Sequence, residues 1–240
     1  MNIAVILAGG VGSRMCSTGI PKQFLTVFGR PIVIHTLLEF EKSKKISKIV
    51  VVCKAEYLEK MQMLVKEYGI NKVGKIVSGG NTGQESIWKG LVAAEEYASQ
   101  QSIVVIHDGV RPFITEALID ECIEQSILFG NAVAATPAIE TVGISEKGIS
   151  VDKIESRRKC FIIKAPQCFR FWEIYEAHKQ ARLLNKFDYV DSASLMRELC
   201  GSDLHIVKCQ KSNIKVTTPE DFYVLRALFE LKETIDVFGQ

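Results

Sequence analysis

Short apolar runs rich in β-branched residues recur along the chain at positions 3–7, 49–53, 73–77, 103–107 and 132–136. Between them the apolar spacing changes. Ile32, Ile34, Leu37, Leu38 and Phe40 precede the second run, and Leu58, Met61, Leu64 and Val65 follow it at helical intervals. Ile87, Leu91, Val92 and Ala94 repeat that spacing, as do Leu118, Ile119, Cys122, Ile123 and Ile127. Strands that are apolar on every residue are covered on both faces, and their alternation with amphipathic helices builds a parallel sheet. The pattern predicts an α/β fold with a mostly parallel sheet and helices on both faces. Ligands in such sheets lie beyond the carboxyl ends of the strands. Segments 8–22, 78–86 and 107–112 each follow a run directly and are therefore the candidate site loops.

The alternation breaks between residues 139 and 167. Glu146-Lys147-Gly148 is a turn-like tripeptide between two β-leaning segments, and Ala165-Pro166-Gln167 closes the stretch. A hairpin leaving the main sheet at about 139–165 is the expectation. A lone two-stranded hairpin is marginal in water, so it packs either on a second subunit or back on its own domain. No repeat, low-complexity tract or linker interrupts residues 1–240, which makes one domain the economical count.

With 240 residues, 47% apolar and 24% charged, the chain has the composition of a soluble globular protein able to bury a substantial core. The net charge of +2 is spread over alternating signs, which argues against nucleic acid; the cluster at 42–45 reads as a solvated helix end. No apolar stretch approaches the ~18 residues of a membrane span. The chain opens directly on a strand-like run, and its seven cysteines, Cys16, Cys53, Cys122, Cys160, Cys168, Cys200 and Cys209, form no CxxC pair. A cytoplasmic protein with reduced thiols is expected, rather than a metal cluster or a disulfide framework.

The first loop reads LAGGVGSRMCSTGIPKQFL over residues 7–25. Gly9, Gly10 and Gly12 between a strand and a later helix aim backbone N–H groups at one place, which is how a phosphate is cradled. Arg14 offers forked donors and Lys22, behind Pro21, a compact charge. A plain glycine turn with two solvated cations is the alternative. Two better-known phosphate loops do not fit. A dinucleotide fingerprint needs glycine or alanine where Met15 stands and an acidic residue about 20 positions on. The Walker pattern needs Gly-Lys-Ser/Thr, which is absent here.

GGVGSRM followed by PKQFL resembles the opening of the CTP-dependent cytidylyltransferases of the 2-C-methyl-D-erythritol 4-phosphate type and of the ribitol-5-phosphate type. The resemblance continues in order through SGGNTGQESI (78–87), IHDGVRPF (106–113), APQCF (165–169), DSASL (191–195) and NIKVTTPEDF (213–222). It implies a Rossmann-like α/β sheet with a protruding arm that dimerises, and attack of a substrate phosphate on the α-phosphorus of CTP with release of pyrophosphate. Such a transfer asks for positioning and charge neutralisation rather than for an activated nucleophile.

By that resemblance Arg14, Lys22 and Lys215 contact the triphosphate and are the catalytic cations, with Lys215 in a strand-like setting between Ile214 and Val216. Leu7, Ala8, Gly9, Gly10 and Gly12 cradle the nucleotide, and Gly79, Gly80, Asn81 and Ser86 read the base, Ser86 being equally suited to a plain N-cap. Asp108 would hold Mg²⁺, since one carboxylate plus phosphate oxygens satisfies that ion. Asp108, Arg111, Thr141, Arg157 and Asp191 would face the acceptor, Thr141 reaching across the dimer. His107 reads as structural, because an ionised phosphate needs no base.

The chain departs from the methylerythritol-phosphate pattern at Gly83, where that family has arginine, and at Ala165 and Val190, where it has threonine. Nucleotide chemistry is thus intact while acceptor recognition is altered, and a CDP-polyol formed from ribitol 5-phosphate is the expected product. Methylerythritol phosphate as acceptor, an inactive nucleotide-binding partner subunit, and a uridylyl- or guanylyltransferase remain as alternatives.

Overall fold

The computed structural model describes residues 1–10 and 20–238, so Gly12 and Arg14 lie outside the described residues. In chain order the elements are β1 (Asn2–Leu7), β2 (Thr26–Val27), β3 (Arg30–Pro31), α1 (Ile32–Lys42), β4 (Ile46–Cys53), α2 (Leu58–Glu67), β5 (Val73–Ser78), α3 (Gly83–Ala94) and β6 (Ile103–Asp108). They continue as α4 (Glu116–Phe129), β7 (Asn131–Pro137), β8 (Val142–Ile144), β9 (Lys153–Glu155), β10 (Phe161–Arg170), α5 (Phe171–Leu183), α6 (Ser192–Cys200), β11 (Ile206–Lys208) and α7 (Pro219–Phe238).

Seven strands form one sheet in the order β11-β7-β10-β6-β1-β4-β5. β5, β4, β1 and β6 run parallel to their neighbours, as do β11 and β7, while β10 is antiparallel to both β6 and β7. β1 shows why its sequence is apolar throughout. Ala4 and Ile6 pack on one face with Phe40 of α1, Met61 of α2 and Ile119 of α4. Ile3 and Val5 pack on the other with Leu91 of α3, Ile174 of α5 and Leu195 of α6. Successive residues of a strand point to opposite faces, so a strand covered twice has no polar side. Gly90 lets α3 sit tightly on that second face: a Cβ there would come within 2.4 Å of Val5 and 2.9 Å of Val52.

Each of the five apolar runs is a strand, and each helical spacing is a helix. Two positions counted as apolar helix face are solvent-exposed, Val92 at 42% and Ile127 at 56%. The buried stripe of α3 is set by Ile87, Gly90, Leu91 and Ala94, and Val92 lies off it. The last turn of α4 runs past the core, exposing Leu128 and Phe129 along with Ile127.

The hairpin is shorter than the sequence implied. β8 and β9 pair antiparallel, Val142 opposite Glu155, in a two-stranded sheet of their own. Residues 161–165 instead begin β10, with Phe161 opposite Pro137 in the main sheet. Their register was hidden because β10 enters a central position from the far side of the excursion. No helix among the described residues is long and apolar enough to cross a membrane. The six described cysteines are free.

Candidate active site

A cleft of about 1010 Å³ lies beyond the carboxyl ends of β5, β4, β1 and β6. Of the residues singled out in the sequence, Leu7, Ala8, Gly9, Gly10 and Lys22 line it after β1. Gly79, Gly80, Asn81 and Ser86 line it after β5, Asp108 and Arg111 after β6, and Asp191 and Lys215 from the C-terminal third. Thr141 and Arg157 do not. They sit on the hairpin, where Arg157 donates from Nη1 to the Ile139 carbonyl at 3.0 Å.

The centre of the cleft is an ion triplet. Asp108 accepts from Arg111 Nε at 2.8 Å and from Lys215 Nζ at 2.7 Å, one cation on each carboxylate oxygen. Burial alone would raise the Asp108 pKa, but Lys215 and Arg111 outweigh it and hold the carboxyl at about 2. Arg111 also donates to the Asn213 carbonyl at 3.1 Å, and Asn213 Nδ2 donates to the Ala165 carbonyl at 2.7 Å. Val216 N–H donates to Val110 O, so the segment bearing Lys215 is tied to the loop after β6 although residues 213–217 form no strand. The strand-like setting read from Ile214 and Val216 is therefore an extended loop: its alternation reflects Val216 packing beneath α7 with Val110 and Leu225.

Gly109 holds this loop against β1. Its N–H donates to Leu7 O at 2.8 Å, and a Cβ would lie 3.2 Å from that same oxygen. The buried Thr36 hydroxyl donates to the Gly109 carbonyl at 3.0 Å. The close approach that this glycine permits is thus to the protein's own backbone. His107 is buried with its Nε2 3.2 Å from the Arg111 carbonyl, and burial pushes its pKa down to about 4. A neutral imidazole packed on Phe40 is a core residue, as the sequence suggested.

On the β1 side, Gly9 and Gly10 carry N–H groups engaged by no hydrogen bond among the described residues, and Lys22 lies buried beneath Gly10, its Cε 3.3 Å from where a Cβ would stand. The next described element is a single 3₁₀ turn, Lys22–Phe24, which holds Lys22 at the cleft wall.

On the β5 side the glycine pair behaves differently from expectation. Gly79 N–H donates to Cys53 O, Gly80 N–H to Ser86 Oγ and Asn81 N–H to Glu85 Oε2. These donors shape the loop and are not presented to a ligand. What the loop presents is its remaining carbonyls, the Asn81 side chain and the one lone pair that Ser86 Oγ has left. Ser86 is not an N-cap: Thr82 caps α3 by accepting from Glu85 N–H, and Ser86 Oγ donates to Thr82 O one turn on. The Thr82-x-x-Glu85 spacing carries that signal in the sequence.

Asp191 caps α6, accepting from Ser194 N–H at 2.8 Å, and its other oxygen accepts from Gln167 Nε2 at 2.7 Å. Gln167 in turn accepts from Ala193 N–H. Gln167, Lys164, Lys54 and Lys89 also line the cleft and were missed by sequence reasoning. Gln167 had a signal, since it stands in the Ala-Pro-Gln motif; the lysines had none, because an isolated lysine reads as solvated.

No group of three or more His, Cys, Asp or Glu side chains among the described residues could form a metal cage. Asp108 offers a single carboxylate whose oxygens each keep a further lone pair. That donor set suits Mg²⁺ carried on phosphate oxygens.

A mostly parallel sheet with a glycine turn after β1, a loop after β5 and paired cations between them has the layout of a nucleotide-binding enzyme, and the family it matches is one of nucleotidyltransferases. The chain belongs to the 2-C-methyl-D-erythritol 4-phosphate cytidylyltransferase (IspD) family, whose model matches residues 2–231. It is 42% identical over 239 residues to a ribitol-5-phosphate cytidylyltransferase of Streptococcus agalactiae serotype V, covering 100% of this chain and 99% of that one. It is 36% identical to a 2-C-methyl-D-erythritol 4-phosphate cytidylyltransferase of Clostridium kluyveri, covering 98% and 99%. Among solved structures it is similar to the 4-diphosphocytidyl-2C-methyl-D-erythritol synthase of Anaerococcus prevotii, with a TM-score of 0.82, 28% identity and 96% of each chain covered.

Proposed function

We propose that this enzyme transfers CMP from CTP to the phosphate of ribitol 5-phosphate, releasing pyrophosphate and forming a CDP-polyol. The similarity that carries the choice of acceptor is the full-length match to ribitol-5-phosphate cytidylyltransferases, stronger than that to the methylerythritol-phosphate enzyme. Ala165 and Val190 in the cleft wall, neither with a hydroxyl, support an acceptor subsite of its own kind.

An oxygen of the acceptor phosphate attacks the α-phosphorus of CTP while the bond to the bridging oxygen of the β-phosphate breaks. The attacking oxygen is already ionised, so no proton moves and no base is needed. Gly9 and Gly10 N–H groups and Lys22 hold the triphosphate, Arg14 adding a fork. Lys215 is fixed by Asp108 at the edge of that path and offsets charge that builds up in the transition state. Asp108 would hold Mg²⁺ carried on phosphate oxygens, and the ion would neutralise the triphosphate further. Asn81, Ser86 and loop carbonyls face the cytosine amino group and ring. Asp191 and Arg111 stand on the acceptor side.

The working unit is a cytoplasmic homodimer joined through the hairpin, each arm carrying Thr141 and Arg157 to the other subunit's acceptor. Supplying CTP with ribitol 5-phosphate or methylerythritol 4-phosphate and following pyrophosphate tests the reading. Preference for methylerythritol phosphate would overturn it, and tighter calorimetric binding of UTP than of CTP would overturn the base assignment.

A further inference from the structure

β10 carries two extra residues against β7. Ile163 pairs with Ala135 and Gln167 with Val133, so residues 163 to 167 face only 135 to 133. A bulge of this kind re-aims side chains, and here Lys164 and Ala165 line the cleft. The sheet order β10-β6-β1-β4-β5 then sets the cleft in sequence: the base loop after β5, the glycine turn after β1, Asp108 after β6, and Lys164 at the opposite end.

Lys164 differs from three other lysines there. Lys54 lies 3.6 Å from Glu56, Lys89 3.8 Å from Glu85 and Lys215 2.7 Å from Asp108. Lys164 Nζ donates only to a backbone carbonyl, that of Lys211 at 3.1 Å, and meets no carboxylate among the described residues. An ammonium has three protons to donate, so two remain for a ligand. Arg111 is linked to the same bulge through Asn213, which bonds the Arg111 guanidinium with its carbonyl and the Ala165 carbonyl with its side chain. Partial burial lowers the Lys164 pKa, the neighbouring Cys209 thiol opposes this, and the Arg111 charge lowers it again. Two cations near one another, with Asp108 the one carboxylate paired to either among the described residues, make a site that an anion completes.

We propose that Lys164 and Arg111 form the subsite for the acceptor's phosphate, Lys164 supplying by charge the contact that neither Ala165 nor Val190 can make by a hydroxyl. This rests on the cytidylyltransferase reading above and names a binding residue for its second substrate. Because the phosphate is common to both polyol acceptors, the subsite is a property of the phosphate and not of the polyol.

The test compares wild type, K164M and K164R in steady-state pyrophosphate release, with CTP varied at fixed acceptor and each polyol phosphate varied at fixed CTP. In K164M the acceptor KM should rise by about 10- to 100-fold, the worth of one charge-assisted hydrogen bond, while the CTP KM stays near wild type. K164R should recover most of that loss. Inorganic phosphate should compete with the acceptor, and more weakly in K164M. An unchanged acceptor KM in K164M, or a CTP KM raised as much as the acceptor's, overturns the subsite and leaves the cytidylyltransferase reading standing. Wild type that turns over only methylerythritol phosphate overturns the choice of ribitol, and the same KM comparison on that acceptor still decides Lys164. Wild type that uses neither polyol phosphate overturns both.

Discussion

Lys215 Nζ sits 2.7 Å from Asp108 Oδ1, which brings the segment before the last helix onto the loop after the fourth parallel strand. The lysine side chain is 43% exposed, so without that carboxylate its ammonium would sweep a wide arc. Asp108 keeps Arg111 when Lys215 is removed, so Lys215→Ala leaves no buried charge unpaired. We expect the variant to fold like wild type and to lose about 100- to 1000-fold in kcat/KM, the cost of one transition-state cation. Pyrophosphate release with parallel circular dichroism checks this; undiminished turnover would take Lys215 out of the mechanism.

Lys22 approaches the same path from the other end of the chain, buried beneath Gly10. Lys22→Ala is expected to abolish pyrophosphate release with a native circular dichroism spectrum. The decisive comparison is with Lys89→Ala on the cleft rim, where Lys89 bonds Gly79 O and sits on the base side. That variant should raise the CTP KM and spare most of kcat. Equal losses of kcat in the two would argue for general electrostatics instead of a positioned cation.

Much of this was legible because burial on both faces writes itself into a strand as an unbroken apolar run. Although β5, at the sheet edge with Lys75 in it, is nowhere fully buried, β1, β6, β7 and the second half of β4 carry that signature. β10 does not: its Lys164, Pro166 and Gln167 occur where the strand bulges into the cleft, so function interrupts the period there. The site loops followed from their place after strands, and the ordered motifs supplied the residues. What could not be read was which donors the fold itself consumes. By resemblance Gly79 and Gly80 read the base, yet their N–H groups bond Cys53 and Ser86. A hydrogen bond between separate loops leaves no local spacing, and the Asp108–Lys215 pair is hidden for the same reason.

The hairpin exposes Ile144 at 43% and Ile154 at 67% on its two short strands, and Val151 at 65% in the connection between them. A two-stranded sheet with bare isoleucines is marginal alone, and a second copy would bury them. Sedimentation velocity is expected to show a two-chain species for wild type and a single-chain species for a variant carrying both Ile144→Asp and Ile154→Asp. Neither position lies in the cleft, so the fold and CTP binding should survive. Wild type sedimenting as one chain throughout would overturn the dimer.

His178 on α5 is buried at 1% exposure, and neither ring nitrogen has a hydrogen-bond partner among the described residues. Burial first, and Arg182 second, lower its pKa from 6.5 to about 4. Above pH 6.5 the ring is neutral in folded and unfolded chains alike and contributes no pH dependence. As the pH falls below 6.5 the unfolded chain takes up a proton that the native chain refuses, so stability falls by about 1.4 kcal/mol per pH unit until the native ring titrates. Between pH 7 and pH 5 this amounts to about 2 kcal/mol. His178→Leu removes the proton acceptor from both states. Urea unfolding at the two pH values should therefore show a smaller pH difference in the variant than in wild type, by about that amount. Equal pH differences would mean that the native state protonates this ring as readily as the unfolded chain does.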